Sequence, residues 1–372
     1  MPKKEKAGFL LFLLLGTAFL LLTDFFLLDQ KKAYAPPDTS NLKISQITGD
    51  DKKLTAALQQ LGIRKTMEIL LAESAGGSNF DCHQQAHKIG RIGYHIFKAE
   101  AFRQSDASCH SGAYHGAMET FLNEQGTENL ASNIDKICKD FDTSFGQFEC
   151  LHGVGHGVLA YLDYDLQQTV DECKKLNGSF AQNSCFGGMF MENILTAQGL
   201  GAGTGDHTTN WAKQDDPHFP CSIFDQEDIL VQCYQMQTSW MLTLSKYSFE
   251  KVAAECQNAP KSLISTCFRS YGRDAAGTVL RNPKGIIEKC SLVPDSYLNE
   301  CILGAENVIV DFWGPNLQNQ ATELCKMVTK DDVKNACYSN LASRLPGLFE
   351  SDPKIYSICN SFEPKYRQLC EW

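Results

Sequence analysis

Sixteen cysteines keep a regular beat through this chain, and that beat constrains the fold more than any other feature. From Cys138 onward they form seven pairs. These are Cys138 with Cys150, Cys173 with Cys185, Cys221 with Cys233, Cys256 with Cys267, Cys290 with Cys301, Cys325 with Cys337, and Cys359 with Cys370. Within a pair the separation is 11 or 12 residues, and first members recur at steps of 35, 48, 35, 34, 35 and 34. A constant period in the thirties, with a helical pattern inside each unit, marks a stacked array of helical hairpins. In DLQQTVDECKKLNGSFAQNSCFGGMFMENIL, Leu166, Val170 and Cys173 share one helical face. Asn177-Gly178 then supplies a helix stop with left-handed backbone character. Ser184 is placed to cap a second helix that opens with Cys185. In every pair the first cysteine is expected to end one helix and the second to open the next. A bridge within each pair would clamp the hairpin across its turn. Closing a loop of about a dozen residues is worth roughly 3 kcal/mol in the chain-entropy treatment. Cys82 and Cys109 remain, and they are expected to bridge each other. The pattern predicts an all-α chain: an α-solenoid of about eight helical-hairpin repeats, period about 35 residues, with one disulfide clamp per repeat.

Thiolate metal sites are the competing use of so many cysteines. They need ligand pairs two to four residues apart, and the sequence has neither C-x-x-C nor the C-x-x-C-H of attached haem. Disulfides demand an oxidising compartment, and the amino terminus offers a route to one. Residues 1–7 carry Lys3, Lys4 and Lys6, and residues 8–28 are apolar except for Asp24. Such a run is long enough to cross about 30 Å of hydrocarbon as a helix, and its basic flank places residues 1–7 in the cytoplasm. The expectation is a single transmembrane signal anchor over 8–28. Ala33-Tyr34-Ala35 offers the alternative of a cleaved signal peptide. Residues 36–52 are polar and led by proline, as in a tether. Residues 53–372 then form the extracytoplasmic repeat domain, at the cell surface, in the periplasm or in an equivalent space. A net charge of −10 excludes nucleic acid as the expected partner.

The histidines are not spread like the cysteines. All nine lie between residues 83 and 218, and seven fall within 83–156. Six of those follow a cysteine in three successive segments: CHQQAH (His83, His87), CHSGAYHG (His110, His115) and CLHGVGHG (His152, His156). Repeats after Cys221 keep the cysteines without histidine, so the clamp does not need imidazole. Residues four apart share a helix face. This places His83 with His87, His152 with His156, and His115 with Glu119, and stacking would bring the three motifs together. His95 lies about 120° from the His83/His87 face and is expected to be structural. CFGGMFMEN carries Glu192 where the earlier segments carry histidine. The expectation is a metal site in residues 80–197, with His83, His87, His110, His115, His152 and His156 as ligands. Glu119 and Glu192 are expected as acid/base groups or extra ligands.

Imidazole suits Zn, Cu and Fe alike, so the sequence leaves the metal open among them. Two ions with three nitrogens each, one three-histidine zinc centre and a mixed histidine/glutamate di-iron site all fit the pattern. The absence of H-E-x-x-H argues against the metalloprotease helix. Residues 199–220 lengthen one repeat with a glycine-rich, then acidic and aromatic segment. It is either a surface loop or a flap whose Trp211 or His207 meets substrate. Residues 221–372 read as structural repeats. Three functions follow: a metal-dependent oxidoreductase or hydrolase acting on a small substrate, a non-catalytic solenoid that binds a partner protein, and a protein for metal capture or delivery.

Overall fold

The computed structural model describes residues 42–75, 82–106, 108–199, 208–311, 318–349 and 352–370. The apolar run 8–28 and the first part of the tether lie outside them. No helix among the described residues is long and apolar enough to cross a membrane. The compact unit starts at Lys43, ahead of the Lys53 expected from the sequence. The reason is local: Ile44 is completely buried, and the amides of Ile44 and Ser45 donate to the Glu73 carboxylate.

Every element among the described residues is helical. In chain order they are α1 (Ile44–Ile47), α2 (Asp51–Ala75), α3 (Cys82–Phe97), α4 (Glu100–Gln104), α5 (Ser108–Gln125) and α6 (Leu130–Cys138). There follow α7 (Ser144–Tyr161), α8 (Leu166–Lys174), α9 (Ser179–Ala197), α10 (Glu227–Leu244), α11 (Phe249–Asn258) and α12 (Ile264–Thr278). The last are α13 (Pro283–Cys290), α14 (Leu298–Asp311), α15 (Gln318–Met327), α16 (Asp331–Leu348) and α17 (Asp352–Asn360).

All eight expected bridges form. Cys82 joins Cys109, Cys138 joins Cys150, Cys173 joins Cys185 and Cys221 joins Cys233. Cys256 joins Cys267, Cys290 joins Cys301, Cys325 joins Cys337 and Cys359 joins Cys370. As read from the sequence, the first cysteine of most pairs closes a short helix. Cys109 opens α5, but most second cysteines do not open their helix as expected. Cys150, Cys185, Cys233 and Cys337 lie in the second turn of α7, α9, α10 and α16. Cys267 and Cys301 close the first turn of α12 and α14, each behind a 3₁₀ turn that precedes the helix. Cys370 ends a 3₁₀ segment and enters no α-helix. The reason is that the long helix starts earlier than its cysteine, one turn after the short helix stops. In the α8/α9 hairpin, Gly178 (φ +89°) is the N-cap of α9 rather than the stop of α8. Ser184 therefore caps nothing; its hydroxyl donates back to the Phe180 carbonyl, 2.8 Å. After the insertion the first helix shrinks to a single 3₁₀ turn, Cys221–Ile223.

One turn recurs where a long helix hands over to the next short one. Asp163-Tyr164, Lys246-Tyr247 and Leu280-Arg281 all adopt left-handed φ between 50° and 62°. Each second residue returns its amide to the carbonyl five back, which closes the long helix as a Schellman motif does. Asp165, Ser248 and Asn282 then cap the next helix through their side chains. A C-cap and an N-cap in adjacent residues fix the angle between hairpins.

Repeating that angle brings the chain round. α7 packs on α9, α9 on α10, α10 on α12, α12 on α14 and α14 on α16, and α16 returns to α7. The Ser144 hydroxyl reaches the Gly347 carbonyl at 3.4 Å across 203 residues of sequence. Curvature in a repeat array follows from the rotation per unit, and here six long helices close the circuit. α5 packs on α7 from the other side, then α3 on α5 and α2 on α3.

Three of these helix contacts are tight because glycines face each other. A Cβ on Gly116 would lie 1.9 Å from the His87 carbonyl oxygen, and one on Gly90 2.1 Å from that of Ala113. In the α7/α9 pair, Gly188 would meet the His152 carbonyl at 1.9 Å and Gly155 that of Cys185 at 2.0 Å. The α12/α14 pair repeats the pattern with Gly272 and Gly304, without histidine.

Candidate metal centre

Two of the tight helix pairs, α3/α5 and α7/α9, carry the histidines. Close approach lets short imidazole side chains from neighbouring helices touch. The ring centroids of His83 and His87 are 4.6 Å apart, and those of His115 lie 5.5 and 5.2 Å from them. His115 stacks on His156 at 3.7 Å with an 18° interplanar angle, and His156 is 4.9 Å from His152. All five rings belong to residues no more than 9% exposed. One ligand nitrogen from each of His83, His87 and His115 falls within 4.8 Å of the others. Five of the six expected ligands thus converge; the His110 side chain lies outside the described residues. His95 is exposed, faces Glu124 and stays away from the cluster, as its helical angle required.

The spacing of the inner nitrogens is one that a metal ion could bridge. His83 Nε2 and His87 Nε2 are 3.2 Å apart, and so are His152 Nε2 and His156 Nε2. Two nitrogens bound tetrahedrally at 2.0–2.1 Å would be about 3.3–3.4 Å apart. The outer nitrogens face second partners. His83 Nδ1 donates to the Cys109 carbonyl at 2.8 Å. His156 Nδ1 donates to Glu192 Oε2 at 2.9 Å. His87 Nδ1 lies 3.3 Å from Glu119 Oε1, without hydrogen-bond alignment. With its proton held on Nδ1, His83 presents Nε2 as a bare acceptor, open to a hydrogen bond from His87 Nε2 or to a cation. Partners behind metal-bound histidines commonly fix tautomer and ring angle in this way.

The Cys109 carbonyl is delivered by unusual backbone. Cys109 and Ser111 both take left-handed φ, 53° and 58°, which costs a residue with a side chain roughly 1–2 kcal/mol. The bridge to Cys82 ties this turn to the residue next to His83.

Glu119 and Glu192, expected as acid/base groups or extra ligands, each set a carboxylate oxygen against an outer ring nitrogen, of His87 and of His156. Glu119 Oε2 accepts from Arg91 at 2.9 Å, while its other oxygen faces His87. Glu192 Oε1 accepts from Tyr164 at 2.8 Å and Thr196 at 3.3 Å. Burial alone would raise the Glu192 carboxyl. Hydrogen bonds from His156 and Tyr164 and charge on nearby imidazoles lower it to about 2.

His115 and His152 are the least satisfied groups. Neither His115 nitrogen has a hydrogen-bond partner, nor has His152 Nδ1. Burial, then the neighbouring imidazoles, hold His115 well below the usual histidine range. Burial and then His156 do the same for His152. These two rings stay neutral when folded and charge at about pH 6.5 when unfolded. Their contribution is complete above pH 6.5 and lost as pH falls below it. The metal-free protein should lose up to roughly 2.7 kcal/mol per pH unit there, read as falling urea midpoints between pH 7 and 5. A flat profile would contradict two buried neutral rings.

His115 and His152 also border a half-open cavity of about 630 Å³ lined from the circuit of long helices. Arg269, Arg273 and Arg344 line it too, and Glu149 is the carboxylate among its described lining residues. Sequence reasoning passed over Glu149, although E-x-x-H-x-x-x-H places it on the face of His152 and His156. The Ser111 hydroxyl donates to Glu149.

In the insertion, residues 200–207, His207 among them, lie outside the described residues. Trp211 is engaged by the scaffold: its indole donates to the Tyr164 carbonyl, and its own carbonyl accepts from Asn193, both at 2.9 Å. The segment therefore buttresses the residues behind Glu192. No protein-family model, curated protein or solved structure matches the chain.

Proposed function

We propose that the protein is a metalloenzyme of an oxidising, extracytoplasmic space, acting on a small molecule admitted to the cavity ringed by its long helices. The eight disulfides require the compartment. The apolar run 8–28 supplies the membrane anchor of this reading, and the hairpin array is the solenoid that carries the site. One observation carries the reading: buried imidazoles converge with metal-spaced nitrogens at the edge of a cavity large enough for a substrate. His83, His87 and His115 hold a transition-metal ion, with Zn, Cu and Fe all compatible with nitrogen ligands. Three protein ligands leave a fourth position for water or substrate, as hydrolytic and oxidative centres both need. Glu119 and Glu192 serve as positioning residues, acting through His87 and His156. A concave cavity of about 630 Å³ is of a size for a small substrate, and a storage or delivery protein has no need of it.

Elemental analysis of the full chain, purified without chelator, tests the reading. At least one Zn, Cu or Fe per chain is expected, and His83→Ala should lower that content. Protein that is metal-free and takes up none of these ions on titration would end it.

A further inference from the structure

The centre assigned above uses three of the five converging rings. His152 and His156 repeat its chelating geometry on the next helix pair, with the same 3.2 Å between Nε2 atoms. Glu192 holds the outer nitrogen of His156, as Cys109 holds that of His83. The two sets meet where His115 stacks on His156, and stacked rings present their nitrogens in parallel planes rather than to one point. One ion cannot gather all five. We propose that His152 and His156 hold a second transition-metal ion, open to the cavity, where it takes an oxyanion as ligand. This rests on the reading of His83, His87 and His115 as the first metal site.

Each set reaches the cavity through one ring, His115 of the first and His152 of the second, while His83, His87 and His156 do not appear among its described lining residues. Two protein nitrogens leave at least two coordination positions to be filled from the cavity. α12 lies three places round the circuit from α7, and so faces it. It presents Arg269 and Arg273, with Arg344 from α16 closer by. Arg273 is held in place by Asp274 at 2.7 Å and by the Gln235 carbonyl at 2.7 Å. Arg269 is braced by Glu300. Neither of those carboxylates is among the described lining residues, which include Arg269, Arg273, Arg344 and Glu149. Guanidinium matches carboxylate and phosphate geometry, and a metal ion opposite them supplies the second anchor. A substrate bearing a phosphate or carboxylate would bridge the two.

Cobalt(II) reports both claims, since its visible spectrum changes with each ligand. The stripped full chain should take up two cobalt ions, and inorganic phosphate should alter the spectrum. His156→Ala and the milder His152→Gln should each bind one ion and lose the phosphate response. His83→Ala should also bind one ion but keep the response. Circular dichroism of each variant separates loss of a ligand from loss of the fold. A single cobalt in the unaltered protein would overturn the second site and leave the first standing. No uptake at all would remove both. Two ions without any phosphate response would overturn the assignment of an open, anion-binding face.

Discussion

Gly116→Ala and Gly188→Ala should each cost the protein several kcal/mol and its metal as well. A Cβ at either place would sit 1.9 Å from a backbone carbonyl oxygen, of His87 or of His152. Backbone cannot swing aside as a side-chain tip can, so the two helices must separate. Overpacking of well-fitted cores costs about 1–3 kcal/mol, and a clash against main chain belongs at or above the top of that range. The colliding carbonyls belong to histidines of the cluster, so separation also breaks the 3.2 Å nitrogen spacing. Gly272→Ala provides the control. It makes the same collision with the Cys301 carbonyl, in the pair that carries no histidine. All three variants should lower the urea midpoint, while Gly272→Ala alone should keep the metal content of the unaltered protein. Unchanged midpoints for Gly116→Ala and Gly188→Ala would mean that the helices are not in such close contact.

That control separates fold from site, a division already visible in the sequence, where cysteines persist through every repeat and histidines stop. Two short-range signals carried the reading. Cysteine spacing gave seven of the eight bridges, because a loop of 11 or 12 residues leaves few alternative partners, and Cys82–Cys109, 27 apart, followed as the remaining two. It did not give the helix starts: Cys150, Cys233 and Cys337 sit a turn inside their helices, since a bridge fixes which residues meet and not where a helix begins. Histidine spacing gave faces of helices, and the rings on those faces do meet. What stayed hidden depends on distance. Nothing local tells α16 that it will touch α7, since closure sums small rotations over six hairpins. The placing of Glu119 and Glu192 behind the rings was also out of reach. It depends on Arg91 and Tyr164, which claim the second oxygen of each carboxylate. Tyr164 gets there through a left-handed turn that no helical periodicity describes. Glycine was legible only in part. H-G-x-G-H announces close approach, but not which carbonyl approaches.

Removing the Cys82–Cys109 bridge should empty the metal site, whereas removing Cys359–Cys370 should cost similar stability and leave the site filled. Both bridges close loops, of 27 and 11 residues. The chain-entropy treatment values them alike, at about 3–4 kcal/mol each. Their surroundings differ. Cys109 occupies a left-handed turn whose carbonyl receives the proton of His83 Nδ1 at 2.8 Å. Without the bridge, only the hydrogen bonds of the Cys109 carbonyl and the Ser111 hydroxyl oppose relaxation of the turn into ordinary helix. The carbonyl then swings away, and the His83 tautomer is no longer fixed. The Cys82→Ser/Cys109→Ser protein should therefore bind metal weakly, by roughly the 10- to 100-fold typical of losing a partner behind a ligand. The Cys359→Ser/Cys370→Ser protein should bind it normally at the same temperature. Full reduction goes further. Eight bridges at roughly 3 kcal/mol each exceed the 5–15 kcal/mol by which a domain is ordinarily stable. Reduced chain should lose its helical circular dichroism at denaturant concentrations that the oxidised protein withstands. Should reduced protein keep both its helicity and its metal, the clamps would be dispensable, and the case for an oxidising compartment would fall with them.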